Sequence, residues 1–114
     1  MNILIVTDSI AVSELEAIAK EFYYPLLKGV VDIEKEVVAF GGEWHMDANK
    51  LLMESGSSQQ NVWGFNIFLD RPHESWLEYT SLINIRPELG NRSTTVRDET
   101  IRDKMKNIIN SKII

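Results

Sequence analysis

Val62-Trp-Gly-Phe-Asn-Ile-Phe-Leu69 and Trp76-Leu-Glu-Tyr-Thr-Ser-Leu-Ile-Asn-Ile-Arg86 flank the polar connector Asp70-Arg-Pro-His-Glu-Ser75. Both runs are rich in aromatic and β-branched residues, and the connector has turn chemistry. Together they read as two strands of an antiparallel hairpin. In the first, Trp63, Phe65, Ile67 and Leu69 alternate with Val62, Gly64, Asn66 and Phe68. In the second, Tyr79, Ser81, Ile83 and Ile85 alternate with Thr80, Leu82, Asn84 and Arg86. Successive strand residues point to opposite faces, so each run predicts one greasy and one polar side.

A second hairpin precedes this one. Val30–Glu34 and Glu36–Met46 read as strands, with a turn near Glu34-Lys35 that sets Val31 opposite Val38. Val38, Phe40, Trp44 and Met46 share the apolar face. Glu43 and His45 end the other face, and Gly41-Gly42 predicts a bulge. Ile3–Val6 reads as a short strand buried on both sides. Ser13 and Glu16 form a capping-box pattern before Leu15, Ile18, Ala19 and Phe22, the stripe of an amphipathic helix. Asp47 predicts the cap of a helix over residues 48–55, closed by Gly56, and Asp98 caps a last helix with Ile101, Met105, Ile108 and Ile109 on one side.

These elements predict a single α+β domain over residues 1–114. A mainly antiparallel sheet of about four or five strands carries three helices on one face, that of Phe40, Trp44, Trp63 and Ile83. The opposite face is expected to display Glu43, His45, Asn66, Asn84 and Arg86 as one polar floor.

Composition narrows the function classes. The 114 residues include no cysteine, which removes disulfide and thiolate chemistry and suits a reducing compartment. Apolar runs fall far short of a membrane span, and the N-terminus lacks a basic lead, so a cytoplasmic protein is expected. Net charge is −5, which argues against nucleic acid as a partner. The charge is uneven: residues 1–85 hold five basic and thirteen acidic side chains, and residues 86–114 seven and four.

Hydrogen-bonding capacity concentrates in Ser81–Ser93, where Pro87 ends the strand and Gly90-Asn91 turns the chain. Arg86 and Arg92 offer planar donor forks suited to carboxylate or phosphate; alternatively both tie down the loop. Glu43 and His45 form a candidate acid–base pair with Arg86 as electrostatic support. Asn66, Asn84, Asn91 and Arg92 are the candidate ligand-binding residues. Glu43, His45 and Asp47 superficially suggest a metal motif, but strand spacing puts the first and last about 13 Å apart. Neither a metal nor another cofactor is expected.

Val31-Asp-Ile-Glu-Lys35, Gly41-Gly-Glu-Trp-His45, Trp63-Gly-Phe-Asn66 and Ile83-Asn-Ile-Arg-Pro87 with Gly90-Asn-Arg-Ser93 together resemble a family of small bacterial and archaeal proteins catalogued as a domain of unknown function. The resemblance implies a complete stand-alone protein and supplies no activity, cofactor or partner. Trp44 stands where relatives have Leu, which fits a core position. The leading expectation is a self-associating binding module for a small anionic ligand or protein partner. An acid–base hydrolase and a member of a toxin–antitoxin-like pair are the alternatives.

Overall fold

A computed structural model of the chain describes residues 2–114. Five strands, β1 (Leu4–Val6), β2 (Leu26–Asp32), β3 (Val37–Phe40), β4 (Val62–Phe68) and β5 (Leu77–Glu78), form one antiparallel sheet in the order β1-β3-β2-β4-β5. Three helices complete the α+β fold: α1 (Val12–Ala19), α2 (His45–Glu54) and α3 (Glu99–Lys112).

The first hairpin has the expected register, with Val31 opposite Val38. Its turn contains neither Gly nor Asn, and Asp32 explains how it closes. One carboxylate oxygen accepts from the amides of Glu34 and Lys35, each at 2.9 Å, and the Asp32 carbonyl accepts from Glu36 at 2.9 Å. These bonds hold Glu36 at a φ of 56°, the left-handed region that a residue with a Cβ ordinarily avoids.

Alternation along the strands divides the core in two. Leu27, Val31, Val38, Phe40, Trp63, Phe65 and Ile67 pack with Leu15, Ile18, Met105, Ile108 and Ile109 of α1 and α3. Val30, Ala39 and Val62 point the other way and pack with Ala48 and Leu52 of α2, with Ile83 against the same cluster. The helices therefore cover both faces, α2 alone on the second, which corrects the expectation of one shared face. The cause is Gly41-Gly42. At φ values of 115° and 97° they do not bulge a strand but turn the chain out of the sheet after Phe40. A Cβ on Gly41 would meet the Asn2 carbonyl at 2.5 Å.

Several local expectations change with that exit. Residues 43–46 are not strand, and Trp44 and Met46, assigned to the core, are 60% and 56% exposed. Asp47 lies inside the first turn of α2 and reaches back to accept from the Trp44 amide at 2.9 Å. The Ser13–Glu16 capping box does not form, because α1 starts at Val12, two residues after the anchored Ile10. Ile10 donates to the Lys112 carbonyl at 2.7 Å and accepts from Ile114 at 2.9 Å. Phe22 lies beyond the helix and is exposed. β1 is an edge strand with Ile5 open to solvent, not a strand covered on both sides. Asp98 caps α3 as expected, accepting from Thr100 at 2.8 Å and Ile101 at 3.3 Å. Among the described residues no helix is long and apolar enough to cross a membrane.

Candidate functional site

The largest departure from the sequence reading begins after Glu78. The run expected to be a strand to Arg86 stops pairing there and folds into 3-10 turns at Leu82–Asn84 and Pro87–Leu89. The outer edge of β4 is nonetheless closed along its length. The Phe68 amide donates to the Trp76 carbonyl at 3.0 Å, and Asn66 pairs with Glu78. At Gly64 the partner is a side chain: Asn84 Oδ1 accepts from the Gly64 amide at 2.8 Å, and Asn84 Nδ2 donates to the Gly64 carbonyl at 3.0 Å. One position further on, Arg86 Nη2 donates to the Val62 carbonyl. A carboxamide carries the same donor and acceptor as a peptide group, so Asn84 stands in for one residue of a missing strand. Gly64 permits the approach, since a Cβ there would lie 2.6 Å from Ser81 Cβ.

The same residues fasten their own loop. Arg86 and Asn91 exchange backbone hydrogen bonds at 2.6 and 3.0 Å, and Gly90 turns between them at φ 80°. Asn91 Nδ2 donates to the carbonyls of Asn84 (2.7 Å), Ser93 (2.9 Å) and Thr95 (3.2 Å), while its Oδ1 accepts from the Arg97 amide at 2.9 Å. Asn84 Nδ2 also faces the carbonyls of Thr94 and Tyr79. Arg86 Nε donates to the Ile83 carbonyl at 3.0 Å, and its guanidinium lies 4.7 Å from the centre of the Trp63 ring. Asn84, Arg86 and Asn91 are all buried. The concentration of polar groups in Ser81–Ser93 is a main-chain clasp: Arg86 fastens the loop, as the second alternative expects, but Arg92 is exposed and takes no part among the described residues.

His45 and Asn66 meet elsewhere, on the part of the sheet that α2 leaves open, where Lys28 and Asn66 are cross-strand partners. His45 Nε2 is 2.8 Å from the Phe65 carbonyl. A carbonyl only accepts, so this nitrogen carries the proton. Burial lowers the His45 pKa, the Phe65 carbonyl opposes that shift, and nearby Lys28 adds to the lowering. Asn66 donates to the Thr80 carbonyl at 3.1 Å, and its Oδ1 is buried without a partner. Glu43 and Arg92 are exposed. Among the described residues no side-chain hydrogen bond or ion pair joins either to His45 or to the clasp. The expected floor thus divides into a buried clasp, a small His45–Asn66–Lys28 patch and two isolated surface charges. No three His, Asp or Glu side chains among the described residues are placed to hold a metal ion.

What strand parity hid is an apolar groove beside the clasp. A hollow of about 440 Å3 is lined by apolar Met46, Leu82, Ile83, Ile85 and Leu89 and by polar Gln59, Gln60, Arg86 and Glu88. A second, of about 260 Å3, shares Met46, Leu82 and Ile83 with it and continues to Trp44, His45 and Ser81. Gln59 is fixed by a reciprocal amide pair with Asn49, at 2.8 and 2.9 Å. Leu82 is 78% exposed, Ile85 44% and Leu89 43%, alongside Trp44 and Met46. The missed signal was spacing: Leu82, Ile85 and Leu89 fall at i, i+3 and i+7, a helical interval that strand alternation does not produce. Burial lowers the Arg86 pKa, opposed by the charge of Glu88. Among the described residues no carboxylate lies within ion-pair distance of Arg86, and both its Nη1 and Trp63 Nε1 are buried without an acceptor. The groove therefore has an unneutralised guanidinium in its wall. A larger hollow of about 530 Å3 near α3 is lined by the half-buried Leu77 and Tyr79 and by His73, Glu74, Lys106 and Asn110; the last four are exposed, and among the described residues no side-chain hydrogen bond positions them.

A family model described as "Protein of unknown function (DUF5674)" matches residues 4–112. The chain belongs to that family. No curated protein and no solved structure matches it. Segments 31–35, 41–45, 63–66 and 83–93, all within the matched span, each hold a distinct device of this chain. These devices are the turn closed by Asp32, the diglycine exit into α2, the stretch of β4 at Gly64, and the clasp itself.

Proposed function

We propose that the protein is a binding module whose working surface is the apolar groove between the first turn of α2 and residues 82–89, and that its partner is a protein surface. The observation that carries this reading is the gathering of five large apolar side chains, Trp44, Met46, Leu82, Ile85 and Leu89, around two hollows. Scattered apolar residues are ordinary on a monomer, whereas a contiguous patch of roughly 300–600 Å2 is commonly functional. The clasp holds the patch open. Its polar groups bond to backbone, so residues 82–89 are fixed with Leu82, Ile85 and Leu89 outward and Ile83 against the core.

An anionic aromatic probe, anilinonaphthalene sulfonate, matches the groove's apolar lining and the guanidinium in its wall. At high dilution the folded protein is expected to bind it saturably. Leu82→Glu is expected to weaken that binding about tenfold, since burying a leucine contributes roughly 1.5–3 kcal/mol. Far-UV circular dichroism should stay unchanged. Absence of binding by the folded chain, or binding indifferent to Leu82→Glu, contradicts the assignment.

A further inference from the structure

We infer that the occupant of the groove is a second copy of this chain, docked about a two-fold axis with Leu82 of each copy seated in the other's hollow. The inference rests on the groove being the binding surface and adds the identity of its partner. A two-fold contact requires a patch that is its own complement. Here the knob and the holes are neighbours. Leu82 is 78% exposed, more than any other large apolar residue described, and it lies on the ridge shared by hollows of about 440 and 260 Å3. An axis beside that ridge brings each Leu82 over the opposite hollow and closes the assembly at two. A head-to-tail contact would leave one knob and one hollow open at each end and would propagate.

Charge permits the same arrangement. Each chain carries −5 overall, which opposes association, but the groove holds one cation, Arg86, and one anion, Glu88. Two copies therefore meet there without net like charge. Size sets the strength. A standard interface takes about 800 Å2 from each partner, and five partly exposed apolar side chains offer less than that. A reversible dimer with a dissociation constant in the micromolar range is expected.

Sedimentation velocity of the full chain across low to high micromolar concentration tests this, with the sulfonate probe present in parallel samples. The expected result is a monomer–dimer shift with rising concentration, accompanied by loss of probe binding as the groove is covered. Leu82→Glu should remain monomeric with native circular dichroism, Leu82→Met should dimerise like the parent, and Ile5→Glu at the β1 edge should also dimerise. A parent that stays monomeric at every concentration yet binds the probe overturns the second copy while the groove reading stands. No dimer and no probe binding overturn both. A dimer abolished by Ile5→Glu and untouched by Leu82→Glu assigns association to the sheet edge and overturns the inference.

Discussion

Replacing Asn84 with alanine is expected to cost about 3–5 kcal/mol of folding stability, a loss confined to a few mechanisms such as breaking a buried polar network. Asn84 is fully buried. Its removal leaves the Gly64 amide and carbonyl without their side-chain partner and takes a donor from the carbonyls of Thr94 and Tyr79. Each buried group left unmade costs about 1–3 kcal/mol, and the costs within one network are not additive.

Asn84→Asp sharpens the test because it keeps shape and one acceptor. The carboxylate can still accept from Gly64, but its second oxygen faces carbonyls that previously received a donor. Burial and that repulsion raise the folded-state pKa above the unfolded value of about 3.9. Below both values the side chain is protonated in both states and the penalty of ionisation is absent. As pH rises through the unfolded pKa toward the raised folded one, the unfolded state releases its proton first and stability falls. Urea denaturation followed by circular dichroism should show Asn84→Asp destabilised at pH 7 and partly restored near pH 4 relative to the parent at the same pH. An aspartate variant as stable as the parent at pH 7 contradicts the role given to Asn84.

Arg86→Lys is expected to cost about 2–4 kcal/mol, although it conserves charge. The guanidinium bonds the Ile83 and Val62 carbonyls at once and lies over Trp63. An ammonium is a compact, strongly hydrated charge that lacks the planar fork. Lysine therefore retains the desolvation cost of a buried cation and loses the contacts that offset it. Arg86→Met removes the charge and fills much of the volume, so it should be more stable than Arg86→Lys. Methionine leaves the Ile83 and Val62 carbonyls without this donor, as lysine largely does, but buries no charge. Urea midpoints should rank parent, methionine, lysine. If lysine matches the parent, the guanidinium is not committed to the clasp.

The fold was legible where a local pattern and the tertiary structure ask for the same thing. Val31 faces Val38, β4 occupies Val62–Phe68, and Asp98 caps α3 above an apolar stripe containing Met105, Ile108 and Ile109. It was illegible where one side chain replaced a secondary-structure element. Alternation through Tyr79–Arg86 fits a strand, and only the contact between Asn84 and Gly64, twenty residues apart in sequence, reveals that a carboxamide has taken the strand's place. Gly41-Gly42 signals backbone freedom without stating its direction, and the wrong choice put α2 on the wrong face. The candidate residues suffered accordingly. His45 and Asn66 are neighbours on an open stretch of sheet. Asn84, Arg86 and Asn91 face backbone in the interior, and the groove formed by the outward residues between them had no strand-like signature.

The Gly64 amide gives the most direct measurement. Its hydrogen bond runs to the Asn84 side chain at 2.8 Å, on the edge of β4 where main-chain pairing has ended. Native-state hydrogen exchange by NMR should find this amide protected like the ladder amides of β4, and Asn84→Ala should release it under conditions where the remaining ladder stays protected. Rapid exchange at Gly64 in the parent protein would mean that the edge is open, and that the clasp does not hold residues 82–89 in place.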